Sequence, residues 1–175
     1  ALAWLDMSTG EFHVQSFDGI RALGQRVEVL APAEIIFADA GLEDADFMAT
    51  IGASGAAQSP LPRLRFDSSN AHDRLCKAFG VANLDAFGDF SRAEVAAAGA
   101  VVDYVVLTQK GSMPRLRPLQ QRQSDHSLDI DPASRRNLEL FTTQSGQAKG
   151  SLFALINRAV TAAGTRRLRE WLAQP

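Results

Sequence analysis

With a single cysteine, Cys76, the chain cannot close an internal disulfide, and nothing in it points to secretion. Histidine is almost as scarce: His13, His72 and His126 lie far apart. Only His72 and Cys76, four residues apart, would share a helix face. Two ligands do not make a closed zinc site, so both are read as lining the edge of a core. No apolar run is long enough to cross a bilayer, and no charged-then-apolar leader opens the sequence. There is also no G-x-x-x-x-G-K-[ST] run to cradle phosphates; the nearest glycine–lysine order, "AKGS" at Ala148–Ser151, is reversed. No catalytic, cofactor or metal site is expected in this chain.

What is present suits a soluble globular protein of one or two domains: 175 residues, 46% hydrophobic and 22% charged. The missing initiator Met, and an end at "WLAQP" directly after a helical pattern, predict a piece of a longer protein. Charge is uneven. Residues 1–107 hold 7 Lys/Arg against 15 Asp/Glu, a net −8, and residues 108–175 hold 11 against 5, a net +6. Such asymmetry hints at two parts with different neighbours. The basic residues are scattered rather than striped, so it is not a nucleic-acid footprint.

Residues 1–107 read as an α/β domain. "LAWLDM" and "EFHVQSF" are two strands joined by the turn residues "STG", with Phe12 and Val14 buried and His13 and Gln15 on a wetter face. Ile20, Leu23, Val27 and Leu30 form one helical stripe that Pro32 ends. "EIIFAD" suits a buried parallel strand, "LEDADFMATIG" a short helix closed by Gly52, "ASGAAQSPLP" a loop and "RLRF" an edge strand. "SSNAHDRLCKAFG" predicts a helix that opens on its serines, packs Ala71, Leu75, Cys76 and Phe79 inward and stops at Gly80. Ser91 and Glu94 form a capping-box pattern before a helix that is apolar almost all round, where Gly99 and the alanines allow close approach. Residues 108–127, with Pro114 and Pro118, read as a linker containing at most a short strand.

From residue 128 the pattern is all-α. Asp131 is a candidate N-cap with Pro132 at the first helical position; Ser151 and Thr161 are candidate caps for the next two helices. Gly164, Leu168, Trp171 and Leu172 share one face of the last. Advancing about 100° per residue from Ala133 places Leu138, Leu140 and Phe141 on one side and Arg135, Arg136 and Glu139 on the other. Asn137 falls within the apolar arc. This predicts outward arginines and an Asn137 amide bonded to a neighbouring segment, since a buried unpaired amide costs roughly 1–3 kcal/mol.

These residues carry a family resemblance. Asp131, then Arg136-Asn137-Leu138-Glu139, Gly150-Ser151-Leu152, Thr161 with Gly164, Arg166 and Leu168, and Trp171-Leu172 near Pro175 resemble the opening of the core (lever) domain of the MutS family of mismatch-recognition proteins. "LAWLDMSTGEF" and "PAEIIFAD" resemble the start of that family's connector domain. The likeness is weak over about residues 40–65. It implies an RNase H-like connector at 1–107, the linker at 108–127, and the first core helices at 128–175. The family's Phe-x-Glu mismatch reader is absent here, as is its P-loop. The resemblance therefore implies a part that relays signals between mismatch-binding and ATPase domains and docks the MutL partner. Mismatched DNA, ATP and Mg, a homodimer and the bacterial cytoplasm belong to the implied parent; no membrane is involved.

The main rival is an RNase H-like metal-dependent nuclease, with Asp6 and Asp39 at strand ends and Glu11 and Asp103 as further carboxylates. It requires them to cluster, whereas acidic residues at strand ends are ordinary turn and cap residues. For partner binding, the exposed side of the Ser69–Phe79 helix offers Asp73, Arg74 and Lys77, against the plainer reading of a solvated face.

Overall fold

A computed structural model describes residues 1–109, 114–122, 130 and 132–173. It divides into two compact units, Ala1–Gly24 with Ala31–Gln123, and Gln25–Leu30 with Ser124–Pro175. The first unit is mixed α/β and the described part of the second is helical.

In the first unit, β1 (Leu2–Leu5) and β2 (Phe12–Gln15) form an antiparallel hairpin, with Leu2 opposite Gln15 and Leu5 opposite Phe12. The Asp6 carboxylate closes its turn by accepting from Ser8 N at 2.8 Å, Ser8 Oγ at 2.7 Å and Thr9 N at 3.3 Å. A third strand, β5 (Gln120–Gln121), runs parallel to β2 on its other side, so β2 is central. That position explains a departure from the expected alternation: all four β2 residues are buried, His13 and Gln15 included. His13 lies beside the ring of Trp4, its cross-strand neighbour.

The second sheet pairs β3 (Glu34–Ala38) with β4 (Ala57–Leu61) in parallel, Glu34 opposite Ala57 and Ala38 opposite Leu61. Residues 57–61, expected as part of a loop, are therefore a strand. "AQSPL" has little strand propensity of its own; the ladder to β3 supplies what the side chains do not, and Pro60 is tolerated at an edge. "RLRF", expected as an edge strand, is a 3-10 turn, Arg63–Phe66. Over four residues an alternating pattern cannot be told from a tight turn, and long-range pairing of Arg65 decides the matter.

The helices of this unit are α1 (Ile20–Leu30), whose second half belongs to the other unit, α2 (Ala45–Gly52), α3 (Ser68–Phe79) and α4 (Arg92–Thr108). Helix α3 is capped by Asp67, one residue before the serines, whose side chain accepts from Asn70 N at 2.9 Å; it ends at Gly80 with φ +67° as expected. In α4 the capping box is present in both directions. Phe12, Val14, Leu75, Ala98, Val102 and Leu119 form the buried centre. Full burial of a side chain such as Leu75 stabilises by about 1.5–3 kcal/mol. At Gly99 a Cβ would lie 2.3 Å from Ala71 Cβ and 2.6 Å from its Cα, so α3 and α4 touch backbone to backbone there.

In the second unit the helices are α5 (Pro132–Asn137), α6 (Leu152–Ile156) and α7 (Ala162–Ala173). Here the helical-wheel expectation fails. Arg135 is buried, with 5% of its surface exposed, while Asn137 is exposed and Leu138 is 60% exposed. The reason is that α5 stops at Asn137. Glu139 turns left-handed, φ +47°, and the Glu139 and Leu140 amides donate back to the Arg136 and Arg135 carbonyls at 3.0 and 3.2 Å. This is a Schellman closure, with a glutamate where glycine is usual. A constant 100° step therefore puts residues 138–141 on the wrong side. Leu140 is turned in, and its carbonyl accepts from Phe153 N at 2.9 Å. Trp171 is likewise off the expected face, 61% exposed, beside the Arg167 guanidinium.

Candidate functional site

The carboxylates that would have made a nuclease are each engaged elsewhere. Asp6 closes the hairpin turn, and Asp39 accepts from the adjacent Ala40 N at 2.9 Å. Glu11 pairs with Arg117 at 3.4 Å. Asp103 is held by Arg65 and by Arg74, the latter at 3.4 Å. Among the described residues no group of three His, Cys, Asp or Glu side chains could hold a metal ion. His72 and Cys76 meet at 3.8 Å on α3, as their spacing predicts. Burial, then Asp73 and Asp85, raise the pKa of the Cys76 thiol above its ordinary value.

The three α3 residues singled out from the sequence part company. Asp73 and Lys77 are exposed. Arg74 instead folds back over the helix: its Nε donates to Asn70 O at 3.1 Å, Nη2 to Arg65 O at 3.1 Å and Nη1 to Gly99 O at 3.4 Å. With Asp103 and Arg65 it ties α3, the 63–66 turn and α4 together. Helical spacing showed that Arg74 shares a surface with Asp73; it could not show that a carboxylate 29 positions later would claim it.

Two junctions were not legible from the sequence. At the top of α4, Glu94 is 1% exposed. Its Oε2 accepts from Ser91 N and Ser91 Oγ, each at 2.9 Å, and both carboxylate oxygens accept from Gln121 Nε2, at 3.0 and 3.2 Å. Burial alone would raise this carboxyl group's pKa, but the hydrogen bonds from Ser91, Gln121 and Ser16 outweigh it and hold the value below the ordinary one. Lower on α4, the Tyr104 hydroxyl and Ser59 Oγ both donate to Glu34 Oε1, joining the helix to β3 and β4. The hydrogen bond to Glu34 raises the tyrosine's pKa.

In the second unit, Ser151 is fully buried and caps α6: its Oγ accepts from Ala154 N at 3.2 Å and donates to Ala148 O at 2.8 Å. Thr161 Oγ1 accepts from Gly164 N at 3.1 Å at the start of α7. Asp131, the candidate cap of α5, lies outside the described residues. Asn137 points outward and takes no partner among the described residues. Arg26, 3% exposed, meets Glu170 at 3.6 Å, and Arg167 shares that carboxylate at 2.9 Å. Arg169 stacks 4.2 Å above the Phe141 ring, and burial lowers its pKa.

The chain is thus a mixed α/β unit followed by helices, with several of its charged side chains joining elements within each unit. Comparison with known proteins gives the family. A family model described as MutS domain II matches residues 1–120, and one described as MutS domain III matches residues 133–175. The chain belongs to the MutS family. It is 45% identical over all 175 residues to the DNA mismatch repair protein MutS of Roseobacter denitrificans, covering 20% of that protein. The MutS proteins of Dinoroseobacter shibae and Paracoccus denitrificans are each 46% identical over the whole chain, which covers 19% of each. The chain thus spans about a fifth of the length of these relatives. No helix among the described residues is long and apolar enough to cross a membrane.

Proposed function

We propose that this chain is the connector and the beginning of the core of a protein that recognises mismatched DNA, and that it relays state between the mismatch-binding and ATPase parts. The observation that carries the reading is the pair of adjacent domain matches spanning nearly the whole chain, to relatives named for mismatch repair. In this reading residues 1–107 are the RNase H-like connector, 108–127 the linker and 128–175 the first core helices. ATP and Mg belong to the parent, a homodimer of the bacterial cytoplasm. In this reading the catalysis belongs to the parent's ATPase part and not to this chain.

MutL docks, in this reading, on the exposed side of α3 through Asp73 and Lys77, with Arg74 holding the helix in place rather than touching the partner. The test is a binding titration of the full-length parent with MutL. Reversing Asp73→Arg and Lys77→Glu together should weaken MutL binding while mismatch affinity stays at the parent's level; equal MutL affinity removes the patch. ATP hydrolysis or mismatch-specific binding by the purified 175-residue chain would overturn the assignment of parts.

A further inference from the structure

Between β2 and α1 the chain passes through Asp18 and Gly19, both exposed. Gly19 has φ +98°, in the left-handed region, and a Cβ built on it would meet nothing within 4 Å. The turn into α1 thus calls for glycine because of its backbone and not for want of room. Leu23 N donates to the Gly19 carbonyl at 3.4 Å, but the Gly19 amide itself donates to nothing among the described residues. The Asp18 carboxylate likewise takes no partner among them. No other aspartate in the sequence is followed by glycine. Asp6, Asp39, Asp44 and Asp67 accept from backbone amides in turns and caps, and Asp103 is held by Arg65 and Arg74. Asp46, Asp73, Asp85 and Asp89 are exposed, but each precedes a residue whose side chain crowds the approach of its own amide to the carboxyl carbon.

We infer that Asp18 is a modification site: in the folded protein it isomerises spontaneously to isoaspartate. The Gly19 nitrogen bonds to Asp18 Cγ, the Cγ–OH bond breaks, and the nitrogen's proton leaves with that hydroxyl as water. The succinimide ring so formed takes up water at one of its two carbonyls. Opening at Cγ restores aspartate. Opening at the other carbonyl leaves the main chain running through Cβ and Cγ, with the former backbone carbonyl as a free carboxylate. Water is lost and regained, so mass, charge and oxidation state are unchanged. The main chain between β2 and α1 becomes longer by one C–C bond, about 1.5 Å. Asp18 and Gly19 are exposed and carry no ladder bonds, so the change falls outside β2 and outside the core. The inference is independent of the relay reading above.

The test is prolonged incubation of the full-length parent under native conditions, then trypsin digestion and chromatography coupled to mass spectrometry. The peptide ending at Arg21 should split into two species of equal mass. The new species should be several-fold more abundant than any isomer in the peptides that carry Asp46, Asp85 or Asp89. It should accumulate faster at about pH 6 than at about pH 8, because the hydroxyl leaves from a protonated carboxyl, whose ordinary pKa is about 3.9. Asp18→Glu, which keeps the charge but disfavours the ring, should remove the new species. Asp18→Asn should give the same product faster, with ammonia leaving in place of water. A single Arg21 peptide after incubation overturns the inference, as does a second species that persists in Asp18→Glu. So does a reversed pH dependence. A second species that forms in urea but not in the native protein overturns it too, since the folded turn would then withhold the Gly19 amide. The same holds if Asp18→Asn stays unconverted in its native state.

Discussion

Replacing Gly99 by alanine adds one methyl group where α3 and α4 meet, and the structure says how much room it has. The new Cβ would lie 2.3 Å from Ala71 Cβ, 2.6 Å from Ala71 Cα and 3.2 Å from Ala71 O. Carbon atoms pack at about 3.5–4.0 Å, so the helices must part by roughly 1 Å or more. The obstacle is another helix's backbone, which cannot rotate aside. Overpacking of this kind costs about 1–3 kcal/mol, and alanine's better helix propensity returns up to about 1 kcal/mol. The expected net loss is about 1–2 kcal/mol. Urea unfolding of the chain in a Trp171→Phe background would leave Trp4, in β1 of the same unit, as the lone tryptophan reporter. Ala71→Gly combined with Gly99→Ala should recover only part of the loss, because the backbone of residue 71 still crowds the new methyl group. If Gly99→Ala alone is as stable as the original, or gains the propensity term, α3 and α4 do not meet backbone to backbone and the packing argument is wrong.

Other consequences come from the junctions. Because the Glu94 pKa is depressed in the fold, its contribution is fully present above the ordinary carboxyl value of 4.5 and is lost as pH falls through the lowered value. Glu94→Gln should therefore be less stable at neutral pH, with the gap closing in acid; a pH-independent gap in unfolding midpoints refutes this. Ser151→Ala removes a buried cap bonded on both sides, and should cost about 1–2 kcal/mol in the stability of the helical unit, read by circular dichroism during denaturation. Arg135 is buried with its Nε and Nη1 lacking hydrogen-bond partners among the described residues. Replacing an unpaired buried charge by an apolar chain of similar length relieves desolvation, so Arg135→Met should leave the melting temperature of the chain unchanged or raise it. A clear drop would reveal a stabilising role for that charge.

The sequence by itself determined whatever rests on neighbours in the chain. The hairpin follows from alternating residues around "STG"; the α4 capping box from Ser91 and Glu94 three apart; the end of α3 from Gly80; and the Ser151 and Thr161 caps from their places before apolar runs. The small residues at Gly99 likewise announced a close approach, and "RRNLE" with "GSL" and "WL" carried the family. Tertiary structure decided whatever depends on residues far apart in the chain. Only a third strand made His13 and Gln15 buried, and only β3 made a strand of residues 57–61. Arg74 turned from a surface charge into a tie because Asp103 folds within reach of it. Arg135 is buried and Asn137 exposed, against the wheel, because the left-handed Glu139 takes Leu138 and Leu140 out of the phase of α5 and the apolar arc drawn through them did not exist. Local preferences act through bonds a few residues long. A partner such as Glu94 for Gln121 exists only once the chain has closed a loop of 27 residues, and no spacing rule reaches that far.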